Sequence, residues 1–166
     1  MTDFRHLAVH DNIAGIKYGS GKLMLLAEFI RATQDTATIL VWGLAEGWAP
    51  AFYAMGAHGV TSGLVNVFPE RSQAFQRTLE AENYKAARSL IVAIAGFEAL
   101  RTRYQNGANV TVVKEALKML GTDVSPVRIP GVEALNSAER AELNEVIERV
   151  KACPGSWRSS EVAYDR

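Results

Sequence analysis

The stretch Asn12-Ile-Ala-Gly-Ile-Lys17-Tyr-Gly-Ser-Gly21 decides how the rest of the chain is interpreted. The apolar run at residues 13–16 predicts a β-strand that ends at Lys17, before a glycine-rich turn and a helical pattern. Burial of a lysine ammonium at a strand end lowers its pKa and frees the amine to attack a carbonyl carbon. The alternative is that Lys17 reaches water, as lysines at strand ends commonly do. Spacing alone favours the alternative.

The run Gly19-Ser-Gly-Lys22 resembles the end of a phosphate-binding P-loop. A P-loop also needs a glycine five positions before its Gly-Lys pair and a serine or threonine directly after the lysine. Ile16 and Leu23 occupy those positions. The phosphate cradle and the magnesium-binding hydroxyl are therefore missing, which argues against an ATPase.

Composition predicts a single ordinary globular domain. The 166 residues are 48% hydrophobic and 22% charged, with 18 basic and 18 acidic side chains. A balanced charge does not indicate a nucleic-acid partner. The single cysteine, Cys153, excludes an intrachain disulfide framework, and the pair His6 and His10 without a third ligand does not predict a metal site.

The sequence contains no targeting or membrane pattern. The first residues are polar rather than typical of a signal peptide, and no apolar run approaches the length of a membrane span. We therefore expect a cytoplasmic protein without a membrane partner.

Strand and helix patterns alternate in the first part of the chain. Strands are predicted at residues 13–16, 38–42 and 59–65, with helices at 22–33 and 48–57 between them. This alternation predicts parallel strands joined by right-handed crossovers. Functional groups of such folds lie at the carboxyl ends of the strands.

Three places near those strand ends are candidates for chemistry. They are Lys17, Gly43 in the turn after the second strand, and the segment 59–66 with its hydroxyls. A glycine at a strand end lets a ligand approach the backbone. The simpler alternatives are a turn that needs room and small residues that fill the interior of a barrel.

Helices dominate after Pro69. The predicted helices cover residues 71–79, 84–104, 110–120 and a last segment that begins at Ser137. The expected organisation is a strand-containing part at 1–69, helices at 70–153 and a flexible tail at 154–166. The helix arginines, Arg101 among them, are expected on solvated faces.

Several segments together resemble a known family. They are Asn12-Ile-Ala-Gly-Ile-Lys17, Trp42-Gly43, Met55-Gly-Ala-His-Gly-Val-Thr-Ser-Gly-Leu-Val-Asn66, Val113-Lys-Glu-Ala-Leu117 and Arg128-Ile-Pro130. Their order and spacing over residues 5–150 resemble the dihydrodipicolinate synthase / N-acetylneuraminate lyase family. The resemblance implies an α/β fold, the C-terminal part of a (β/α)₈ TIM barrel with three parallel βα units, followed by a C-terminal helical bundle.

The resemblance also implies class I aldolase or dehydratase chemistry without a cofactor or a metal. Lys17 would form a Schiff base with pyruvate or a 2-keto (sugar) acid, Gly43 would line the pocket, and Thr61 would contact the bound keto acid. The turn from Trp42 to Glu46 differs from the aspartate-containing turn common in the lysine-pathway enzymes. It favours a sugar-acid dehydratase or aldolase.

The chain departs from the family pattern in its length. The family's carboxylate-binding segment and its catalytic tyrosine belong to the first half, and neither pattern is present. Tyr18 would point to the opposite side of the strand from Lys17. Three strands cannot close a barrel, so we expect a homo-oligomer or a complementary N-terminal half. A catalytically inactive interaction module and an open nucleotide-binding α/β domain are the alternatives.

Overall fold

The computed structural model describes residues 2–36, 38–130 and 134–152. The three strands are β1 (Gly15–Tyr18), β2 (Ile39–Trp42) and β3 (Gly59–Val60). The helices are α1 (Thr2–Ala8), α2 (Leu23–Thr33), α3 (Ala49–Ala54), α4 (Leu64–Val67), α5 (Pro69–Glu80), α6 (Tyr84–Arg101), α7 (Asn109–Met119) and α8 (Ser137–Ala152), with a 3-10 helix at Glu46–Trp48. Cys153 and the expected tail at 154–166 lie outside the described residues.

The strands form one parallel sheet in the order β1-β2-β3. Lys17 is level with Val41, and Val41 is level with Gly59. The ladder extends past the strand ends, where the Gly43 N–H donates to the carbonyl of Tyr18 at 2.9 Å. The predicted alternation of strands and helices and their parallel pairing are therefore confirmed.

Two predicted strand boundaries are wrong. The first strand is Gly15–Tyr18 rather than residues 13–16, because buried Tyr18 continues both the ladder and the core. The third strand ends at Val60 rather than at residue 65. The Oγ of Ser62 accepts the N–H of Leu64 at 2.9 Å, which turns the chain into α4.

The long helix α6 is shorter than predicted. It ends at Arg101 instead of residue 104. Tyr104, Gln105 and Asn106 all have positive φ, a conformation that a right-handed helix cannot contain. The loop they form carries the chain into α7.

Aromatic packing anchors the sheet to the first helices. The Trp42 ring is completely buried and stacks on Phe52 with a centroid distance of 3.4 Å, while its Nε1–H donates to the carbonyl of Ala45 at 2.8 Å. Tyr18 lies beside both rings. This cluster holds the turn that follows β2 in place.

The second half of the core is helical. Helix α6 packs against α5, α7 and α8. Its buried side chains are Ala87, Leu90, Ile94, Phe97 and Leu100. No strand of the described residues follows Val60; the division into 1–69 and 70–153 stays a prediction.

The sheet is open at both sides within the described part of the chain. β1 and β3 each have one edge without a partner strand.

Among the helices of the described ranges, none combines the length and apolar character that crossing a bilayer requires.

Candidate functional site

A cleft of about 790 Å³ lies at the carboxyl ends of the three strands. Lys17, Gly43 and Thr61 line one side of it, one residue from each strand or its end. Glu98 and Arg101 of α6 line the helical side. The structure thus brings the three residues singled out from the sequence to one place.

Lys17 projects from β1 into this cleft. Its side chain is exposed, whereas Tyr18 on the opposite face of the strand is buried. Of the two possibilities that the sequence left open for Lys17, burial and contact with water, the structure shows contact with water, the one that the spacing alone favoured. In the described part of the chain β1 is an edge strand, so Lys17 has a neighbouring strand on one side only.

Gly43 is required by the position of Lys17. A Cβ at this glycine would lie 2.8 Å from Cε and 3.1 Å from Cγ of Lys17, and 3.0 Å from the carbonyl oxygen of Tyr18. The aliphatic stem of the lysine therefore lies directly across the glycine. Any larger residue there would move the amine.

Thr61 joins the ends of β2 and β3. Its backbone N–H donates to the carbonyl of Trp42 at 2.8 Å, and its own carbonyl accepts the N–H of Ala45 at 3.3 Å. Its hydroxyl makes only a long hydrogen bond of 3.4 Å to the Trp42 carbonyl. The threonine side chain is exposed to the cleft and is free to contact a ligand.

Glu46, the last residue of the turn Trp42–Glu46 noted in the sequence, lies behind Thr61, and no role of its own was predicted for it. The residue is completely buried, and its Oε1 accepts the hydroxyl of Ser72 at 3.0 Å. Its Oε2 has no hydrogen-bond partner within the described structure. Burial, together with the negative charge of Glu98, raises the pKa of the Glu46 carboxyl above its ordinary value, and nearby Ser62 offsets part of the rise.

Arg101 is also buried, so its expected place on a solvated face is wrong. Its guanidinium donates to the Glu98 carboxylate at 2.6 Å and, through Nε, to the Asn109 side chain at 2.9 Å. It packs so closely on Gly63 that a Cβ there would lie 2.7 Å from Cζ. The arginine ties α6 to the segment after β3. Arg101 follows Ile94 and Phe97 at helical spacing, so the periodicity of α6 places it on the buried face, and this signal could have found it.

The described residues contain no group of three or more His, Cys, Asp or Glu side chains placed to hold a metal ion.

Comparison with known families matches residues 1–150 to the sequence model of the Dihydrodipicolinate synthetase family. The chain belongs to this family. The resemblance seen in the sequence motifs is confirmed.

Curated members of the family include two kinds of enzyme that resemble this chain. A 4-hydroxy-tetrahydrodipicolinate synthase of Methanosphaerula palustris is 32% identical over 142 residues, which are 85% of this chain and 47% of that protein. A probable 5-dehydro-4-deoxyglucarate dehydratase of Rhizobium rhizogenes is 31% identical over 144 residues, with the same shares. The chain therefore spans about half the length of these relatives.

Solved structures of the family give the same result. The crystal structure of dihydrodipicolinate synthase from Oceanobacillus iheyensis is 38% identical and superposes with a TM-score of 0.81 over 87% of this chain and 48% of that one. The enzyme from Bacillus clausii is 33% identical, with a TM-score of 0.82. The three parallel strands and their helices thus correspond to about half of the family's TIM-barrel fold.

Proposed function

We propose that this chain supplies the Schiff-base lysine of a lyase of the dihydrodipicolinate synthetase family that acts on pyruvate or a 2-keto sugar acid. The observation that carries the proposal is the meeting of Lys17, Gly43 and Thr61 in one cleft at the strand ends. A TIM-barrel fold places its catalytic groups at this face.

In the proposed reaction the amine of Lys17 adds to the ketone carbon of the keto acid. Loss of water gives an iminium, which withdraws electrons from the neighbouring carbon. That carbon can then lose a proton to form an enamine, or a carbon–carbon or carbon–oxygen bond one position further can break. Gly43 supports the stem of Lys17, and Thr61 contributes a hydroxyl to the bound acid.

We further propose that a complementary N-terminal half completes the site. The free edges of β1 and β3 and the exposure of Lys17 support this proposal, since a covering strand on β1 would close off the amine from water. The other half would bring the carboxylate-binding segment and the catalytic tyrosine of the family. A homo-oligomer is the alternative, although two copies supply six strands rather than eight.

For the substrate, we propose a sugar-acid keto acid over the lysine-pathway substrate. The turn Trp42-Gly-Leu-Ala-Glu46 supports this preference because it lacks the aspartates common in the lysine-pathway enzymes. The curated relatives carry names of both kinds.

Borohydride trapping tests the proposed function. The purified chain is incubated with pyruvate and sodium borohydride, alone and with the N-terminal half of a full-length relative, and then analysed by mass spectrometry. We expect one reduced adduct on the peptide that contains Lys17, its absence in Lys17→Arg, and its retention in Lys22→Arg, an exposed lysine outside the cleft. If the wild-type chain gives no adduct under either condition, the lyase proposal is wrong.

A second candidate is an interaction module without catalysis, which the exposed lysine and the free sheet edges also favour. This candidate predicts a stable oligomer or complex that forms no adduct. Sedimentation velocity of the same samples separates it from the lyase.

A further inference from the structure

A second cavity lies behind the wall of the cleft. Its volume is about 300 Å³, and its polar lining comes from Glu46, Ser62, Ser72, Gln73, Gln76 and Arg77. Ser62 lines both this cavity and the cleft that holds Lys17. Ser62 therefore lies between the cavity that contains the buried Glu46 carboxyl and the candidate active site.

The burial and hydrogen bonding of Glu46 favour the protonated form of its carboxyl. The carboxyl is completely buried, one oxygen accepts the Ser72 hydroxyl, and Oε2 has no partner in the described structure. An ionised carboxylate with an unpaired buried oxygen is costly, whereas a protonated one carries an O–H that it can donate.

The charges that face Glu46 come from two helices. Glu98 of α6 raises the pKa of the Glu46 carboxyl in addition to the larger effect of burial. Arg77 of α5 lines the cavity but forms no ion pair with Glu46 in the described structure. The hydroxyls of Ser62 and Ser72 and the backbone at Glu46 also act on the carboxyl through hydrogen bonds, and all of them lower its pKa.

The hydroxyl of Ser62 can both accept and donate a hydrogen bond. Its Oγ accepts the backbone N–H of Leu64 at 2.9 Å, which leaves its own hydroxyl hydrogen available for donation. Ser62 lines both cavities, so rotation of its hydroxyl could direct that hydrogen toward Glu46 or toward a ligand in the cleft.

We propose that Glu46 and Ser62 form a proton relay that serves as the general acid of the Schiff-base reaction in the cleft. The proposal rests on the lyase function proposed for Lys17 and deepens it. It assigns acid catalysis to residues of this chain instead of leaving it entirely to the complementary half.

The step in question is the loss of water from the carbinolamine formed by Lys17 and the keto acid. Ser62 donates its hydroxyl proton to the carbinolamine oxygen and takes a proton from the Glu46 carboxyl. The carbon–oxygen bond breaks, water leaves, and the nitrogen lone pair forms the iminium. Glu46 becomes a carboxylate, the serine is unchanged, and water carries away the proton.

The experiment measures the rate of borohydride trapping of pyruvate against pH, in the full chain alone and with the N-terminal half of a relative. The variants are Glu46→Gln, which keeps the shape of the carboxyl, Ser62→Ala and Ser62→Thr, with Glu70→Gln as an exposed control outside both cavities. We expect Glu46→Gln and Ser62→Ala to trap roughly 100-fold more slowly. Ser62→Thr, which keeps a hydroxyl, should restore most of the rate.

The pH profile separates a relay from a merely structural role. The wild-type rate should fall as Glu46 loses its proton, and Glu46→Gln should lack that fall. If folded Glu46→Gln, or folded Ser62→Ala, traps at the wild-type rate with the wild-type profile, the relay is wrong while the lyase stands. If Glu46→Gln does not fold, equal rates in Ser62→Ala and Ser62→Thr overturn the relay. A wild-type chain that forms no adduct overturns both proposals.

Discussion

Replacing Gly43 with alanine tests whether the stem of Lys17 lies across this glycine. The new Cβ would meet Cε of Lys17 at 2.8 Å and the Tyr18 carbonyl oxygen at 3.0 Å. The lysine end belongs to an exposed side chain that can swing away, whereas the carbonyl belongs to the β1 backbone and cannot. The substitution should therefore displace the amine and also cost some stability at the fixed carbonyl.

Two opposing terms set the change in the free energy of unfolding. Overpacking costs about 1–3 kcal/mol, with the low end expected because the lysine yields. Replacing glycine with alanine at an ordinary φ restricts the unfolded chain and returns about 0.4–1 kcal/mol. We expect a net loss of about 1 kcal/mol or less, and a drop of roughly 100-fold in the trapping rate because the amine is displaced.

Urea denaturation and borohydride trapping measure the two effects, with Gly47→Ala as the matched control. Nothing lies within 4 Å of a Cβ built on Gly47, so this variant should keep both stability and rate. The chemical shift of the Lys17 Cε, observed in protein that contains isotope-labelled lysine, gives a readout that does not depend on activity. An unchanged shift in folded Gly43→Ala would refute the contact between the two residues.

Three further predictions concern the walls of the site. Because the pKa of Glu46 is raised in the folded chain, the stability it contributes is full below its ordinary value of 4.5 and is lost as the pH rises through the folded-state pKa. Glu46→Gln should therefore flatten the pH dependence of the urea midpoint, and a midpoint profile identical to wild type contradicts the raised pKa. Trp42→Phe removes the hydrogen bond to Ala45 and part of the buried ring, and we expect a loss of about 1–3 kcal/mol in urea unfolding; no loss would exclude its anchoring role. Gly63→Ala should destabilise the wild-type chain by about 1–3 kcal/mol but cost less in an Arg101→Ala background, because the clash is with the guanidinium. Equal costs in a double-mutant cycle would count against that contact.

The order of elements and the place of the candidate residues were predictable from the sequence. Apolar runs separated by helical periodicity indicate βα units, and parallel strands necessarily bring their carboxyl ends to one edge. Lys17, Gly43 and Thr61 follow successive strand patterns, so their meeting in one cleft follows from local patterns and topology. The sequence motifs were also sufficient to identify the family.

Only the tertiary structure shows which of the polar side chains at the site are buried and which are exposed. The exposure of Lys17 depends on which strand covers β1, and the burial of Glu46 and Arg101 depends on helices distant in the sequence. Periodicity within one element reports which residues share a face, but not what packs against that face. The amine, the hidden carboxyl and the arginine thus acquire their environments from long-range contacts, which the local sequence does not encode.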